Sequence, residues 1–214
     1  MLRRTNFGWE HVFAMCEAAA KDASAIRASS AAPMPLLRAA FACMQSVCAS
    51  YLHMLNDADL VRCINALPSF SMQTEDVAMA LQANGTLWDL TESIERRDRE
   101  QAVELWLVLL QRLRDVAQVP QANMAECALA NLFQVLLQYH LSFRAEDWIR
   151  VLSDVLLPLV EGEHAPARAF HGTARVVAMV PALRTDPAWP AMWARWLPAM
   201  EGPVARAPSD DVMR

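Results

Sequence analysis

The sequence has almost no lysine and no cluster of positive charge. Lys21 is the only lysine, the other basic residues are scattered arginines, and the formal net charge is -5. Because nucleic-acid binding needs clustered positive charge, this balance argues against a nucleic-acid surface. The sequence also has no basic amphipathic helix of the kind that inserts into a membrane by itself.

Glycine and long apolar runs are scarce as well. The five glycines are isolated, so no glycine-rich loop is present to hold a nucleotide phosphate. The apolar run Leu105–Leu110 is far shorter than the roughly eighteen residues of a membrane span. The basic start Met1–Arg4 is followed by polar residues, which argues against a signal peptide. We therefore expect a cytoplasmic protein without a transmembrane segment.

The sequence also lacks the residue patterns of catalytic sites and metal-binding sites. The five cysteines are irregularly spaced within apolar helical patterns, which predicts buried free thiols in a reducing compartment. No zinc-ligand spacing and no Gly-x-Ser-x-Gly motif occurs. The sequence therefore predicts no catalytic residue, no cofactor and no metal site.

One alternative remains open at this point, a small cytosolic helical enzyme. Glu161 and His164 have the spacing of the carboxylate–histidine pairs in di-iron bundles, although such bundles need two pairs. A deep polar cavity on which Glu161, His164 and His171 converge would favour this alternative. A continuous ridge of paired helices would argue against it.

What the sequence does contain is apolar residues at helical spacing. The central segment is expected to begin at Thr74, and its apolar band comprises Val77, Ala80, Leu81, Leu87, Trp88 and Ile94. Gly85 interrupts this helix at a cost of about 1 kcal/mol relative to alanine, which predicts a close approach by a neighbouring helix. Asn84 lies on the apolar band and needs a hydrogen-bond partner if it is buried.

Capping residues and prolines predict where the other helices begin and end. Asn6 is expected to cap a first helix that ends at Lys21, and the segment Ala23–Pro35 is expected to be a loop. Asn56 and Asp57 are both suitable caps for a predicted short helix that ends at Pro68. Pro120 and Pro187 are expected in the first turns of later helices.

The predicted helices repeat along the chain. Their starts near residues 7, 57, 99, 145 and 187 recur at about 40–50 residues, close to the period of HEAT and armadillo repeats. The sequence therefore predicts an all-α fold, a HEAT/armadillo-like superhelical array of antiparallel helix pairs. We expect a single array over residues 1–201, with about four helix pairs and a terminal helix, followed by a disordered tail over residues 202–214.

Three tryptophans near the carboxyl end share one helix face. Trp189, Trp193 and Trp196 are candidates for a protein interface, because tryptophan is enriched at binding hot spots. Packing in a hydrophobic core is the competing interpretation.

Short segments of the chain resemble a known family. The segments Gly8–Phe13 and Ala18–Asp22 resemble a stretch found downstream of the catalytic domain in the large Arf guanine-nucleotide exchange factors. The segment Ala80–Leu90 is similar to a stretch of their non-catalytic relatives, the monensin-sensitivity Golgi-to-endosome trafficking family. The likeness continues in order through Leu105–Leu113, Ala130–Phe133, Trp148–Leu159 and Gly172–Val177. The core and motif residues that carry it are Gly8, Trp9, Phe13, Gly85, Leu87, Trp88, Leu105, Trp106, Phe133 and Trp148.

The resemblance implies a function that spacing and composition do not reveal. It implies one piece of a longer HEAT array, or a truncated relative, that serves as a non-enzymatic scaffold in Golgi-to-endosome transport. It implies a cytoplasmic location, peripheral at Golgi and endosome membranes, and partners such as a Dopey-type scaffold, a lipid flippase and Arf-like GTPases. The alternative within the same group is the regulatory downstream array of an Arf exchange factor, which a catalytic domain encoded upstream would favour.

Overall fold

The computed structural model describes residues 8–26, 34–161, 167–180 and 186–206, with the backbone alone for residues 22–26 and 200–206. In this part of the chain the regular structure is helical. The chain divides into two compact units, Met1–Ala128 and Leu129–Arg214.

The first unit contains five long helices and the beginning of a sixth. Their bounds are Trp9–Ile26 (α1), Met34–Ser50 (α2), Asp57–Ser71 (α3), Val77–Glu95 (α4), Arg99–Ala117 (α5) and Ala122–Gln138 (α6). A short 3-10 helix, Leu52–Met54, lies between α2 and α3. The boundary between the two units falls within α6.

These helices pack in two layers. Helix α3 lies between α1 and α5 and packs against both, and α2 packs against α4 in the second layer. The layers meet where α1 packs on α2 and where α4 packs on α3 and α5. Fully buried side chains of these helices include Met44, Leu60, Ile64, Leu87 and Trp106. Side-by-side helix pairs of this kind are the building unit of HEAT and armadillo arrays.

The second unit is built on α7 (Ala145–Val151) and α8 (Leu157–Glu161), joined by a π-helical segment, Leu152–Leu156. Within it the Leu157 N–H donates to the Leu152 carbonyl, five residues back. Pro158 follows at once and has no N–H with which to continue the α-helical pattern. Helices α9 (Ala167–Met179) and α10 (Trp189–Arg206) pack on α8. Trp148, Val155, Val176 and Trp196 are among the buried residues of this unit.

The all-α repeat fold predicted from the sequence is confirmed. The predicted starts near residues 7, 57, 99, 145 and 187 correspond to helices that begin at Trp9, Asp57, Arg99, Ala145 and Trp189. Asn56 caps α3 as predicted, since its side-chain Oδ1 accepts a hydrogen bond of 2.8 Å from the Asp59 N–H. The extent of the array remains a prediction.

Several predicted boundaries differ from the structure. Helix α1 continues through Ala23 to Ile26, where a loop was expected, and α2 begins at Met34 with Pro35 in its first turn, where proline removes no helical hydrogen bond. Helix α3 passes Pro68 and ends at Ser71, because both Leu67 and Phe70 are fully buried and their packing outweighs the lost bond.

The boundaries of the later helices also differ from the predicted ones. Pro120 precedes α6, which begins at Ala122, and Pro187 lies in the turn before α10. Helix α10 continues to Arg206, beyond the expected start of the tail, and residues 207–214 lie outside the described part. The predicted cap Asn6 also lies outside it, whereas Gly8 has a φ of 70°, a conformation that favours glycine.

Helix α4 begins at Val77, capped by Asp76, and not at Thr74 as predicted. The Asp76 Oδ1 accepts a hydrogen bond of 3.0 Å from the Met79 N–H, and its Oδ2 accepts one of 2.8 Å from Arg38 Nε on α2. These two bonds lower the pKa of the Asp76 carboxyl, the backbone bond contributing most. Asp76 therefore caps α4 and ties it to α2.

We expect Asp76→Ala to cost about 1 kcal/mol of unfolding free energy at neutral pH, because the α4 cap is lost. The stabilisation by the Asp76 carboxylate should be fully present at pH values above the ordinary aspartate pKa of about 3.9. It should be lost as the pH falls through the pKa of Asp76 in the folded protein, which is lower. Urea unfolding of both proteins at neutral and acidic pH measures this. In contrast, Asp76→Asn should retain most of the cap and lose the ion pair. A difference between wild type and Asp76→Ala that persists at the lowest pH would contradict the assignment.

The two mid-helix glycines lie in opposite environments. Gly85 was expected to permit a close helix approach, but a Cβ built at this position meets no atom within 4 Å, so that expectation is wrong. The close approach occurs at Gly172 on α9, where a Cβ would lie 2.5 Å from Cζ of Phe133 on α6. The Phe133 ring therefore occupies the space that a side chain at position 172 would need.

The same substitution should consequently have opposite effects at the two positions. Gly85→Ala should stabilise the protein by about 1 kcal/mol, because alanine has the higher helix propensity. Gly172→Ala has the same gain in helix propensity, but its Cβ crowds the Phe133 ring. Overpacking costs about 1–3 kcal/mol, so this variant should be less stable than wild type. Chemical denaturation of both variants decides the signs. Adding Phe133→Leu should relieve part of the loss at Gly172, and stabilisation by Gly172→Ala alone would show that the ring moves aside freely.

Candidate functional site

A cleft of about 510 Å³ lies on the layer formed by α1, α3 and α5. Its walls come from three helices that are distant in sequence and adjacent in the fold. The lining residues are Glu10, Phe13, Ala14 and Glu17 of α1, Arg62 and Asn65 of α3, and Arg112 of α5. We call this surface the α1/α3/α5 cleft.

Charged side chains of both signs line the cleft. Arg62 Nη1 donates to Asp59 at 2.9 Å, and its Nη2 lies 3.5 Å from the Glu10 carboxylate of α1. Glu17, one end of the α1 wall, pairs with Lys21 at 2.5 Å. The α1 wall therefore presents carboxylates, and the α3 and α5 walls present guanidinium groups.

Arg112 lines the cleft from α5. Its Nη1 donates to Asp115 at 2.8 Å, which orients the guanidinium along α5. Its Nε is buried, and among the described residues no acceptor lies within hydrogen-bonding distance of it. A buried donor without an acceptor is destabilising.

The geometry of the cleft suits recognition by polar contacts. Its lining contains only one large apolar side chain, Phe13, and that side chain is itself buried in the core. A mixed carboxylate and guanidinium surface selects a partner by charge complementarity and orientation. The cleft is therefore a candidate contact surface for a polypeptide that carries both signs of charge.

The thiols were predicted to be buried and free. All five are free, and Cys16, Cys48 and Cys63 are buried, but Cys43 is exposed and Cys127 is half-buried. Cys48 Sγ of α2 lies 3.5 Å from Cys63 Sγ of α3. The hydrogen bond to Cys48 and burial raise the pKa of the Cys63 thiol, and burial raises the pKa of Cys16 to about 12.

The tryptophans proposed as an interface form a stack on α10. The ring centroids of Trp189 and Trp193 are 5.3 Å apart, and those of Trp193 and Trp196 are 5.6 Å apart. Trp196 is buried at 4% exposure, whereas 38% of Trp193 is exposed. One member therefore serves the core of the second unit, and Trp193 beside the exposed Leu197 offers a small apolar surface.

Glu161 and His171, two of the residues considered for an enzyme, do not line the cleft. His171 is exposed on α9, Glu161 is exposed at the end of α8, and His164 lies outside the described residues. Across the described ranges, no three histidine, cysteine, aspartate or glutamate side chains are grouped as metal ligands. No described helix has both the length and the apolar character needed to cross a membrane.

Comparison with known proteins gives two similar relatives. The chain is 21% identical over 180 residues to Protein MON2 homolog of Schizosaccharomyces pombe, an alignment covering 73% of this chain and 11% of the relative. It is 22% identical over 153 residues to Protein MON2 homolog of Drosophila melanogaster, covering 61% of this chain and 9% of the relative.

The chain resembles the MON2 homologues. It spans about a tenth of the length of these curated relatives. No family model matches the chain, and no solved structure matches it.

The residues that carry the MON2-like motifs lie mainly in the core. Buried members are Phe13, Leu87, Leu105, Trp106, Phe133 and Trp148, while Trp9 and Trp88 are partly exposed. Gly8 is explained by its positive φ, whereas neither packing nor backbone conformation requires a glycine at Gly85. The MON2-like segments therefore describe how the helices pack, and they do not mark the cleft.

Proposed function

We propose that the chain is a non-enzymatic scaffold segment of a HEAT-type array in Golgi-to-endosome transport. The observation that carries the proposal is the similarity to two MON2 homologues along most of the chain. The layered helices support it, because stacked helix pairs present extended surfaces to other proteins. The proposal places the protein in the cytoplasm, peripheral at Golgi and endosome membranes. The proposed partners are a Dopey-type scaffold, a lipid flippase and Arf-like GTPases.

Within this proposal, the α1/α3/α5 cleft is the surface that binds a partner. The opposed charges on its walls support this assignment. Because most motif residues are buried, the residues that contact a partner must be the solvent-facing residues of α1, α3 and α5. Trp193 on α10 is a second, smaller candidate surface in the other unit.

The transport function can be tested in the cells that produce the protein. Disrupting the gene should slow delivery of Golgi-derived cargo to endosomes, and wild-type protein should restore it. Normal cargo delivery after disruption, with no related gene compensating, would count against the proposed function. Measurable turnover of a small metabolite by the purified chain would contradict its non-enzymatic part.

The role of the cleft can be tested by filling it. Asn65 lines the cleft and is exposed, so Asn65→Arg adds a long side chain and leaves the ion pairs of Arg62 with Glu10 and Asp59 in place. We expect about a tenfold loss of partner affinity, a free-energy change of about 1.4 kcal/mol, and failure to restore cargo delivery. The matched control is Gln82→Arg, an exposed position on α4 in the other layer. Equal behaviour of the two variants, both folded by circular dichroism, would reject the cleft as the binding surface.

A further inference from the structure

The Cys48–Cys63 pair links two helices of the first unit. Cys48 lies near the end of α2 and Cys63 lies in the middle of α3. Their sulfur atoms are 3.5 Å apart, about 1.5 Å more than a disulfide bond requires. Helix α2 has little other packing on α3, since it packs mainly on α1 and α4. A covalent bond here would connect helices of different layers directly.

We propose that Cys48 and Cys63 form an oxidative modification site, a reversible disulfide between α2 and α3 that is made with a hydroperoxide. Cys48 is 8% exposed and Cys63 is 0% exposed, so the peroxide reaches Cys48 first. The site requires no contribution from the α1/α3/α5 cleft, and it is independent of the proposed transport function.

The chemistry balances in two steps. The Cys48 thiol gives up its proton, and its sulfur attacks one peroxide oxygen and breaks the O–O bond. A sulfenic acid forms, and with hydrogen peroxide as the oxidant the other oxygen leaves as hydroxide, which takes up the released proton to become water. The Cys63 sulfur then attacks the sulfenic sulfur, and the hydroxyl leaves as a second water. The two thiols lose two electrons together, and the peroxide gains them.

The surroundings of the pair determine when it reacts. The raised pKa of Cys63 favours its protonated thiol, which slows the second step, the attack on the sulfenic sulfur. The neighbouring sulfur at 3.5 Å favours a disulfide over further oxidation of Cys48, because the second thiol is already in place. Once formed, the buried bond is shielded from bulky reductants.

Peptide mapping after hydrogen peroxide treatment tests the proposal. Trypsin cleaves after Arg38, Arg62 and Arg96, so Cys48 is released in the peptide Ala39–Arg62 and Cys63 in the peptide Cys63–Arg96. Because Cys43 shares the first peptide, the exposed Cys43 is replaced in a Cys43→Ser variant. Both wild type and Cys43→Ser should give the two peptides joined by a disulfide, with two thiols protected from alkylation after unfolding.

Thermal unfolding provides a second readout. The disulfide closes a loop between positions 15 residues apart and should raise Tm by about 5–10 °C. Unfolding the oxidised protein in a reductant and refolding it should return Tm to its original value. Cys63→Ser should show neither the linked peptide nor the increase, whereas Cys127→Ser should show both. Retention of all thiols in peroxide-treated wild type, a bond between other cysteines, or sulfinic acid at Cys48 would overturn the proposal.

Discussion

Replacing Trp106 with alanine is expected to lower the free energy of unfolding by about 3–5 kcal/mol. Trp106 lies on α5, is 0% exposed and is among the largest buried side chains of the protein. Helix α5 packs on both α3 and α4, and truncating Trp106 removes a large buried apolar surface from this helix. The cavity that remains adds to the lost transfer free energy, because neighbouring helices relax only partly.

Urea denaturation followed by far-ultraviolet circular dichroism measures this loss. The comparison variant is Leu81→Ala on α4 in the same unit, where 41% of the side chain is exposed. Leu81→Ala should cost less than about 1 kcal/mol, because much of the side chain is already in water. Equal losses in the two variants would contradict the burial that the structure assigns to Trp106.

Arg97→Ala is expected to cost about 2–3 kcal/mol. The side chain of Arg97 is 17% exposed and reaches back from the end of α4 to the start of α3. Its Nη2 donates to the Leu55 carbonyl at 2.7 Å, and its Nη1 lies 3.1 Å from Asp57 Oδ1. Removing the guanidinium takes away the hydrogen-bond donor of the Leu55 carbonyl and the charge partner of the Asp57 carboxylate. Because the Arg97 side chain is largely buried, this loss costs more free energy of unfolding than the loss of an exposed ion pair.

The preceding residue provides the matched control for Arg97. Arg96 pairs with Glu92 one turn away, but both side chains are 74% exposed, so Arg96→Ala should change stability by less than about 0.5 kcal/mol. Arg97→Lys should recover only part of the loss, because an ammonium group does not reproduce the two separate donors. Chemical denaturation in low and moderate salt distinguishes the variants. Similar, salt-sensitive losses for Arg96→Ala and Arg97→Ala would show that Arg97 acts as an ordinary surface charge.

The local features predicted correctly are those that depend on neighbouring residues. The spacing of apolar residues indicated the helices, and Asn56 was identified as a cap because a cap bonds to the residue three positions on. The sequence predicts that α4 begins at Thr74, because Glu75 and Asp76 then place negative charge in the first turn, where the helix dipole favours it. Asp76 is the residue used as the cap, since it also bonds to Arg38, which lies 38 positions away.

The features that sequence reasoning missed depend on contacts between distant residues. A mid-helix glycine has the same local cost at Gly85 and at Gly172, and only the ring of Phe133 distinguishes the two positions. The α1/α3/α5 cleft is lined by residues as distant in sequence as Glu10 and Arg112. The apolar spacing within each helix does not predict that these two residues line the same surface. The stacking order of the helices was the missing information.

Proximity labelling tests most directly the central claim that this chain works by presenting a helical surface to transport proteins. The labelling enzyme would be fused to wild type, Asn65→Arg and Gln82→Arg, and each would be expressed in the cells that produce the protein. We expect wild type and Gln82→Arg to label Golgi and endosome transport proteins, and Asn65→Arg to lose at least one direct partner. Labelling of no such protein by the wild-type chain would contradict the account.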